Sequence, residues 1–174
     1  VLDILQTTSD FFKAKRVDTP RLDAEILLAH VLGCKRIDLY VQFERPLEED
    51  EITRYRQFVS QRIKPTPVAY ITNHAEFMSL PFFVNDHVLI PRPETEFIVE
   101  AVVETVKAKA EKQWSILDIG TGSGCISASI AKMAPNTSIT ATDICPDALV
   151  VAEKNARDLD VDGQIQFIKG SLFE

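Results

Sequence analysis

The chain has 174 residues, 45% of them hydrophobic and 26% charged, with a formal net charge of −7 at pH 7. This length buries enough apolar surface for one medium domain or two small ones. No apolar run approaches the roughly 20 residues of a membrane-spanning helix, and residues 1–10 lack the layout of a secretory signal. We therefore expect a globular protein of the cytoplasm with no membrane partner.

Charge and cysteine patterns limit the partners further. Residues 1–73 contain eleven basic and eleven acidic residues, whereas residues 74–174 contain eight and fifteen. Proteins that bind nucleic acid through its phosphates usually have a basic face, so the absence of a basic excess disfavours a nucleic-acid partner. Cys34, Cys125 and Cys145 are far apart and form no CxxC pair, which predicts reduced thiols and no metal site.

Residues 1–73 are predicted to form a helical domain. Apolar residues recur at helical spacing in three stretches, 4–12, 22–31 and 52–63. Thr19-Pro20 marks a helix start and Gly33 a helix stop. Pro65 and Pro67 cannot both lie inside a helix, so the domain is expected to end soon after them.

A β-hairpin linker is predicted over residues 74–90. Leu80, Phe82 and Val84 alternate as in a strand, and the run from Val88 to Ile90 would form the second strand. The turn would lie at Asn85-Asp86.

Residues 91–174 alternate helices with short strands, which is typical of a parallel sheet built from βαβ units. A helix is predicted after Pro93, in the region of residues 97–106. Strands are then predicted at 116–119, 139–143 and 165–168, with helices at 125–133 and 146–158. The predicted fold class is α/β, with an N-terminal helical bundle, a β-hairpin linker and a partial Rossmann-like domain.

A glycine-rich loop follows the first predicted strand of this domain. Gly120, Gly122 and Gly124 have the spacing GxGxG, and Cys125 stands where the dinucleotide fingerprint GxGxxG has its third glycine. Glycine suits a tight turn whose backbone approaches a ligand closely. The spacing favours a loop for a nucleoside with an amino-acid tail over one for a pyrophosphate.

Two acidic residues accompany the loop. Asp143, at the end of the second strand, is placed to accept hydrogen bonds from both ribose hydroxyls of a nucleoside. The alternative is that the glycines form only a tight turn and that Asp143 caps the helix beginning at Pro146. Asp118, at the end of the first strand, either meets a ligand's ammonium group or holds the glycine loop through backbone N–H groups.

Several segments resemble the release-factor glutamine N5-methyltransferase family. The most specific is LIPRPETE at 89–96, followed by LDIGTGSG at 117–124. PVAYI at 67–71 and Glu76-Phe77 resemble the family's approach to its hairpin. Asp23, Leu27, Leu28 and His30 resemble its helical N-terminal domain.

This resemblance implies a helical domain that recognises a peptide chain release factor. It also implies that residues 91–174 are the first half of a Rossmann-like methyltransferase domain that binds S-adenosylmethionine. The implied cofactor-binding residues are Asp118, Gly120, Thr121, Gly122, Gly124, Asp143 and Ser171. Of these, Ser171 stands where the family usually has an acid near the adenine.

Arg92, Glu94 and Thr95 would border the active site by the same resemblance. Without it, the segment from Arg92 to Glu96 is a helix start with proline in the first turn and acids near the positive end of the dipole. Both interpretations are compatible. The family's Asn-Pro-Pro-Tyr motif is absent from the sequence, so we expect a chain cut off before that motif, with no catalytic residue and no activity of its own.

Three other functions are considered. An adenine-N6-type DNA or RNA amino-methyltransferase would use the same motif, but the charge pattern disfavours it. A nicotinamide-dependent oxidoreductase is disfavoured by the glycine spacing. A fragment that binds a release factor without catalysis is the third. In addition, the first strand would have an open apolar edge, which predicts self-association.

Overall fold

A computed structural model describes residues 1–41 and 43–171 of the chain. The chain divides into two compact units, Val1–Thr72 and Asn73–Glu174. Residues 172–174, at the end of the predicted methyltransferase domain, lie outside the described part. No helix among the described residues combines the length and the apolar character needed to cross a membrane.

The described residues of the first unit form a bundle of helices, as the apolar spacing predicted. The helices are α1 (Leu2–Ala14), α2 (Pro20–Leu32), α3 (Asp38–Val41), α4 (Glu49–Arg62) and α5 (Val68–Thr72). Helix α2 begins at the predicted proline and is ended by Gly33, whose φ of 62° is left-handed. Side chains from α1, α2 and α4, including Leu5, Phe12, Leu28 and Tyr55, form the core. Packing of these apolar faces stabilises helices that are too short to persist alone.

Two buried carboxylates on α2 tie the bundle together. Asp23 accepts hydrogen bonds from Arg62 Nε of α4 at 2.6 Å and from the hydroxyl of Thr19 at 2.7 Å. Thr19 therefore precedes the helix as predicted, but its hydroxyl donates to Asp23 and makes no cap hydrogen bond to the backbone.

Glu25 is the second of these carboxylates. Its oxygens accept hydrogen bonds from Arg21 Nε at 2.7 Å, from Arg36 at 3.0 Å and from the Tyr40 hydroxyl. Burial raises the pKa of Glu25, but the hydrogen bonds from Tyr40, Arg21 and Arg36 outweigh it, and the pKa lies below its usual value. The buried charge is thus neutralised by its partners.

The second unit begins with a hairpin whose position differs from the prediction. Strands β1 (Ala75–Phe77) and β2 (Leu80–Phe82) pair antiparallel, with Phe77 opposite Leu80. The predicted turn at Asn85-Asp86 is therefore wrong, and Val88 to Ile90 is not a strand. The true turn is made by Met78 and Ser79, at φ 53° and 58°. The Glu96 carboxylate accepts the Met78 N–H at 2.7 Å, so a tertiary contact supports a turn without the usual turn residues.

The rest of the unit is a three-stranded parallel sheet with helices. Its elements are α6 (Glu96–Lys107), β3 (Trp114–Ile119), α7 (Cys125–Met133), β4 (Thr137–Asp143), α8 (Pro146–Asp158) and β5 (Ile165–Lys169). A short 3-10 helix, Pro93–Thr95, precedes α6, and another, Asp162–Gln164, precedes β5. The strand order is β3-β4-β5, so the predicted partial Rossmann-like sheet is confirmed.

The two faces of this sheet differ in burial. One face packs with α6, α7, α8 and the hairpin in a single core that includes Ile139, Ala141 and Ile165. On the opposite face Leu117 and Ile119 of β3 are 60% and 50% exposed. Within the described residues β3 is also an edge strand, because it pairs only with β4.

Alkaline pH should weaken the first unit through Tyr55. Burial raises the pKa of Tyr55 to about 12, and its hydroxyl donates to Ala24 O at 3.2 Å. Between about pH 10 and pH 12 only the unfolded state loses this proton, so stability falls by about 1.4 kcal/mol per pH unit. Tyr55→Phe should remove this loss. Unfolding free energies of both proteins from pH 9 to 12 check the prediction, which fails if the two curves stay parallel.

Self-association of the chain remains a prediction. It can be tested by changing a residue on the exposed face of the sheet. Leu117→Glu places a charge on the open face beside the edge of β3, where it opposes pairing with a second copy. Sedimentation of the wild-type chain should show a mass that rises with concentration, and the variant should remain monomeric. A wild-type monomer at every concentration would refute the prediction.

Candidate functional site

The carboxyl ends of the three parallel strands meet at one edge of the sheet. The N–H groups of Gly120 and Thr121, which follow β3, donate to Thr142 O of β4 at 2.8 and 2.9 Å. The Gly170 N–H, which follows β5, donates to Asp143 O at 3.1 Å. In open α/β sheets, ligands bind at this edge. The structure thus places the glycine loop, Asp143 and the segment leading to Ser171 side by side.

The loop follows a backbone path that requires glycine. Gly120, Gly122 and Gly124 have φ of 75°, 56° and 75°. These values lie in the left-handed region, which residues other than glycine rarely adopt. A Cβ on Gly120 would meet nothing within 4 Å, whereas one on Gly124 would lie 3.0 Å from Ala152 Cβ. Gly120 is exposed and Gly124 is buried. The first glycine therefore faces open space, and the third allows α7 and α8 to approach each other.

Asp118 holds the loop through hydroxyl groups. Its Oδ2 accepts hydrogen bonds from Thr121 Oγ1 at 2.8 Å and from Ser127 Oγ of α7. The prediction allowed either an ammonium partner or backbone N–H groups, and the observed partners are the two side-chain hydroxyls. No hydrogen bond from the described residues reaches Oδ1, so one carboxylate oxygen is left for a ligand.

Asp143 connects the glycine loop to the start of α8. Its Oδ2 accepts the Gly122 N–H and its Oδ1 accepts the Cys145 N–H, both at 2.9 Å. Cys145 precedes the first helical residue, and α8 has no side-chain cap hydrogen bond, so the alternative that Asp143 caps the helix is wrong. Each carboxylate oxygen can accept more than one hydrogen bond, so the two observed contacts leave acceptor capacity for a ligand.

Arg92, Glu94 and Thr95 form the start of the 3-10 helix that precedes α6, with the Thr95 N–H donating to Arg92 O at 3.0 Å. Arg92 and Glu94 are exposed. No hydrogen bond or ion pair among the described residues joins these three side chains to the glycine loop. Their helix-start role is observed, and their place at an active-site border remains a prediction.

Searches of known proteins identify both parts of the chain. Residues 3–72 match the family model described as PrmC N-terminal domain, and residues 94–174 match the one described as Methyltransferase small domain. A protein of Rhodopirellula baltica, named release factor glutamine methyltransferase, is 42% identical over 100% of this chain and 60% of its own length. The chain is therefore similar, over its whole length, to part of a release factor glutamine methyltransferase.

Two further relatives support the match. Those of Chlorobaculum tepidum and Leptospira interrogans carry the same name and are 44% and 45% identical. They align with 97% and 99% of this chain and with 58% and 60% of their own length. The chain thus spans about 60% of the length of the curated relatives that it matches.

Two residues near this edge of the sheet were not predicted from the sequence. Ile144 is 70% exposed although it lies directly after Asp143, so it presents apolar surface beside that carboxylate. An isolated isoleucine between Asp143 and Cys145 was the available signal. Asn155 of α8 is buried and hydrogen bonded to the Ser123 carbonyl of the glycine loop at 2.8 Å. No motif or spacing in the sequence around Asn155 indicates that it contacts the glycine loop.

The remaining titratable groups near the loop suggest no further chemistry. Burial raises the pKa of the Cys125 thiol, which keeps it protonated at neutral pH. No group of three or more His, Cys, Asp or Glu side chains within residues 1–41 and 43–171 could hold a metal ion.

Gly124→Ala should destabilise the second unit more than Gly120→Ala does. Both changes place a Cβ at a φ of 75°, which costs about 1–2 kcal/mol. Only at position 124 would the Cβ also meet Ala152, 3.0 Å from its Cβ and 3.1 Å from its Cα. Urea unfolding followed by the fluorescence of Trp114, the single tryptophan, measures both losses.

A double-mutant cycle isolates the contact in this comparison. Gly124→Ala is combined with Ala152→Gly, which removes the nearest atom, and each single variant serves as a reference. A positive coupling between the two positions is expected. Equal losses for the two glycine variants, with no coupling in the cycle, would show that backbone conformation alone sets the cost.

Proposed function

We propose that the protein is an S-adenosylmethionine-dependent methyltransferase that acts on a glutamine side-chain amide in a peptide chain release factor. One observation carries the proposal. The glycine loop, bound to Asp143 through the Gly122 N–H, occurs in a chain that is 42% to 45% identical, over nearly all its length, to relatives of that name.

The loop and its neighbours suit an adenosyl cofactor. The open space at Gly120 gives room for a ligand against the backbone. The spare acceptor capacity of Asp143 suits two ribose hydroxyls, and the exposed Ile144 offers apolar surface to a planar base. Ser171, close to the end of β5, provides a hydroxyl near the same edge. When bound, S-adenosylmethionine supplies a methyl group on a positively charged sulfur.

The charge of this part of the chain also favours such a ligand. Residues 74–174 contain fifteen acidic and eight basic residues, and the carboxylates of Asp118 and Asp143 lie at the strand ends. A partly buried carboxylate attracts a nearby cation more strongly than one in water. A sulfonium and an α-ammonium group are both cations, whereas the pyrophosphate of a dinucleotide is an anion. The site therefore favours the first kind of ligand.

The acceptor amide sets the second requirement. Its nitrogen is a weak nucleophile because the lone pair is delocalised into the carbonyl. A site for this group must hold the NH2 close to the methyl donor and accept its hydrogens. We assign cofactor binding to the loop residues, including Thr121 and Gly124, and a border position to Arg92, Glu94 and Thr95. No catalytic residue is assigned, since Asn-Pro-Pro-Tyr does not occur in these 174 residues.

The helical unit provides the proposed protein contact. Residues 3–72 match the PrmC N-terminal domain, the part through which we expect a release factor to be recognised. A substrate that works in translation places the enzyme in the cytoplasm. Residues 1–73 carry equal numbers of acidic and basic side chains, which fits a protein partner better than a nucleic acid.

Calorimetric titration with S-adenosylhomocysteine, the demethylated product, tests the proposal. The wild-type chain should bind it and should not bind NAD. Asp143→Ala should weaken binding by about ten- to a hundredfold, the effect of losing hydrogen bonds to a charged group. Asp147→Ala is the matched control, because Asp147 is an exposed acid in the first turn of α8. It should bind as the wild type does.

The substrate is tested in the same way with a purified release factor, a DNA oligonucleotide and an RNA oligonucleotide. Binding of the release factor alone supports the proposal. Binding of NAD in place of S-adenosylhomocysteine, or of nucleic acid in place of the release factor, would refute it.

A further inference from the structure

Asn155 occupies an unusual position in the C-terminal half of α8. Asparagine is a weak helix former, and a buried amide without partners costs free energy. Asn155 is nevertheless only 1% exposed. Its presence therefore depends on the hydrogen bonds that its side chain makes.

Those hydrogen bonds join two segments that are far apart in sequence. Asn155 Oδ1 accepts the Phe83 N–H at 2.7 Å, and Nδ2 donates to Phe83 O at 2.9 Å. The same Nδ2 donates to Ser123 O, between Gly122 and Gly124, at 2.8 Å. One amide thus connects α8, the segment after the hairpin and the glycine loop. Every polar atom of the side chain is used, and all three contacts are to backbone groups.

The contact with Ser123 constrains the loop from its buried side. The Gly124 N–H belongs to the same peptide group as Ser123 O, and it donates to Thr121 O at 2.8 Å. That peptide is therefore fixed at both of its polar atoms. Asp143 fixes the neighbouring Gly122 N–H. A Cβ would be crowded only at Gly124, so the loop faces open space at Gly120 and Gly122.

The contact with Phe83 constrains the segment that leads toward Arg92. Beyond this residue, Val84 pairs with Asn73 through both of its backbone groups, at 3.4 and 3.0 Å. Lys154, next to Asn155 on α8, lies over the Phe83 ring at 5.3 Å. The segment is therefore held to α8 at one position, where its main-chain N–H and C=O are both satisfied by a single side chain.

We propose that Asn155 is a positioning residue of the cofactor site, which sets the separation between the glycine loop and the segment that leads to Arg92. It touches neither cofactor nor substrate. This inference rests on the proposed function, because it assigns the loop to S-adenosylmethionine. It predicts that binding depends on the two donated hydrogen bonds, and not only on the stability that Asn155 gives the fold.

Asn155→Asp tests this directly. The carboxylate keeps an acceptor for the Phe83 N–H, but it cannot donate to Phe83 O or Ser123 O. We expect binding of S-adenosylhomocysteine, measured by calorimetry, to weaken about tenfold. Val161→Ala is the control for stability, because Val161 is buried in the same core just after α8 and makes no side-chain hydrogen bond. It should lower the unfolding midpoint and leave binding unchanged.

A second measurement follows the loop itself. The chain has six glycines, so 15N-glycine labelling gives a simple amide spectrum in which Gly33 of the helical unit is a reference. Asn155→Asp should shift the Gly122 and Gly124 signals and leave Gly33 in place. Val161→Ala should leave all three in place.

The outcomes separate the two proposals. If the wild type binds and Asn155→Asp binds equally well, or loses no more affinity than Val161→Ala, the inference is overturned. If the wild type binds no S-adenosylhomocysteine, the proposed function fails, and the glycine spectrum still decides the role of Asn155. Unshifted Gly122 and Gly124 signals in Asn155→Asp would show that this side chain does not position the loop.

Discussion

The backbone of the glycine loop is the constraint on which the second unit depends. Three residues at positive φ turn the chain sharply from β3 into α7, and this path is stable only because its polar groups find partners. Thr142 O accepts the first two N–H groups, and Asp143 accepts that of Gly122. The end of β4 therefore determines the shape of the loop that follows β3. Pairing of β3 with β4 thus also positions the glycine loop.

Local signals accounted for much of this fold. Helices α7 and α8 have the bounds that the sequence predicted, because glycine before Cys125 and proline at position 146 mark their starts. The strands were predicted one or two residues short, since the polar residues Ser115, Ser138 and Lys169 lie beside the apolar runs that were used to predict them. The hairpin was misplaced for a different reason. Asn85-Asp86 carries the usual turn residues, but Glu96, distant in sequence, stabilises a turn at Met78.

In the candidate site, too, some residues could be predicted from local sequence signals and others depend on contacts between distant residues. The sequence was enough to predict Asp118, Asp143 and the glycines, because residue type and position at the end of a strand can both be read from it. The partners of Asp118 could not be predicted. Ser127 lies within a helix, and no sequence pattern indicates that the turn before this helix brings it close to Asp118. Asn155 lies 32 residues from Ser123 and 72 from Phe83 in sequence, and only the packing of α8 brings the three together. Positioning residues of this kind leave no periodic signal.

The close approach of Gly124 to Ala152 has a consequence for how such a sequence can change. The two positions share one small volume, 28 residues apart in the chain, in which a single added methyl group already comes within 3.0 Å of its neighbour. A larger residue at position 124 therefore requires Ala152 or its helix to shift by a few tenths of an ångström. The residue at one position therefore limits which residues fit at the other, even though Ala152 lies outside the loop sequence.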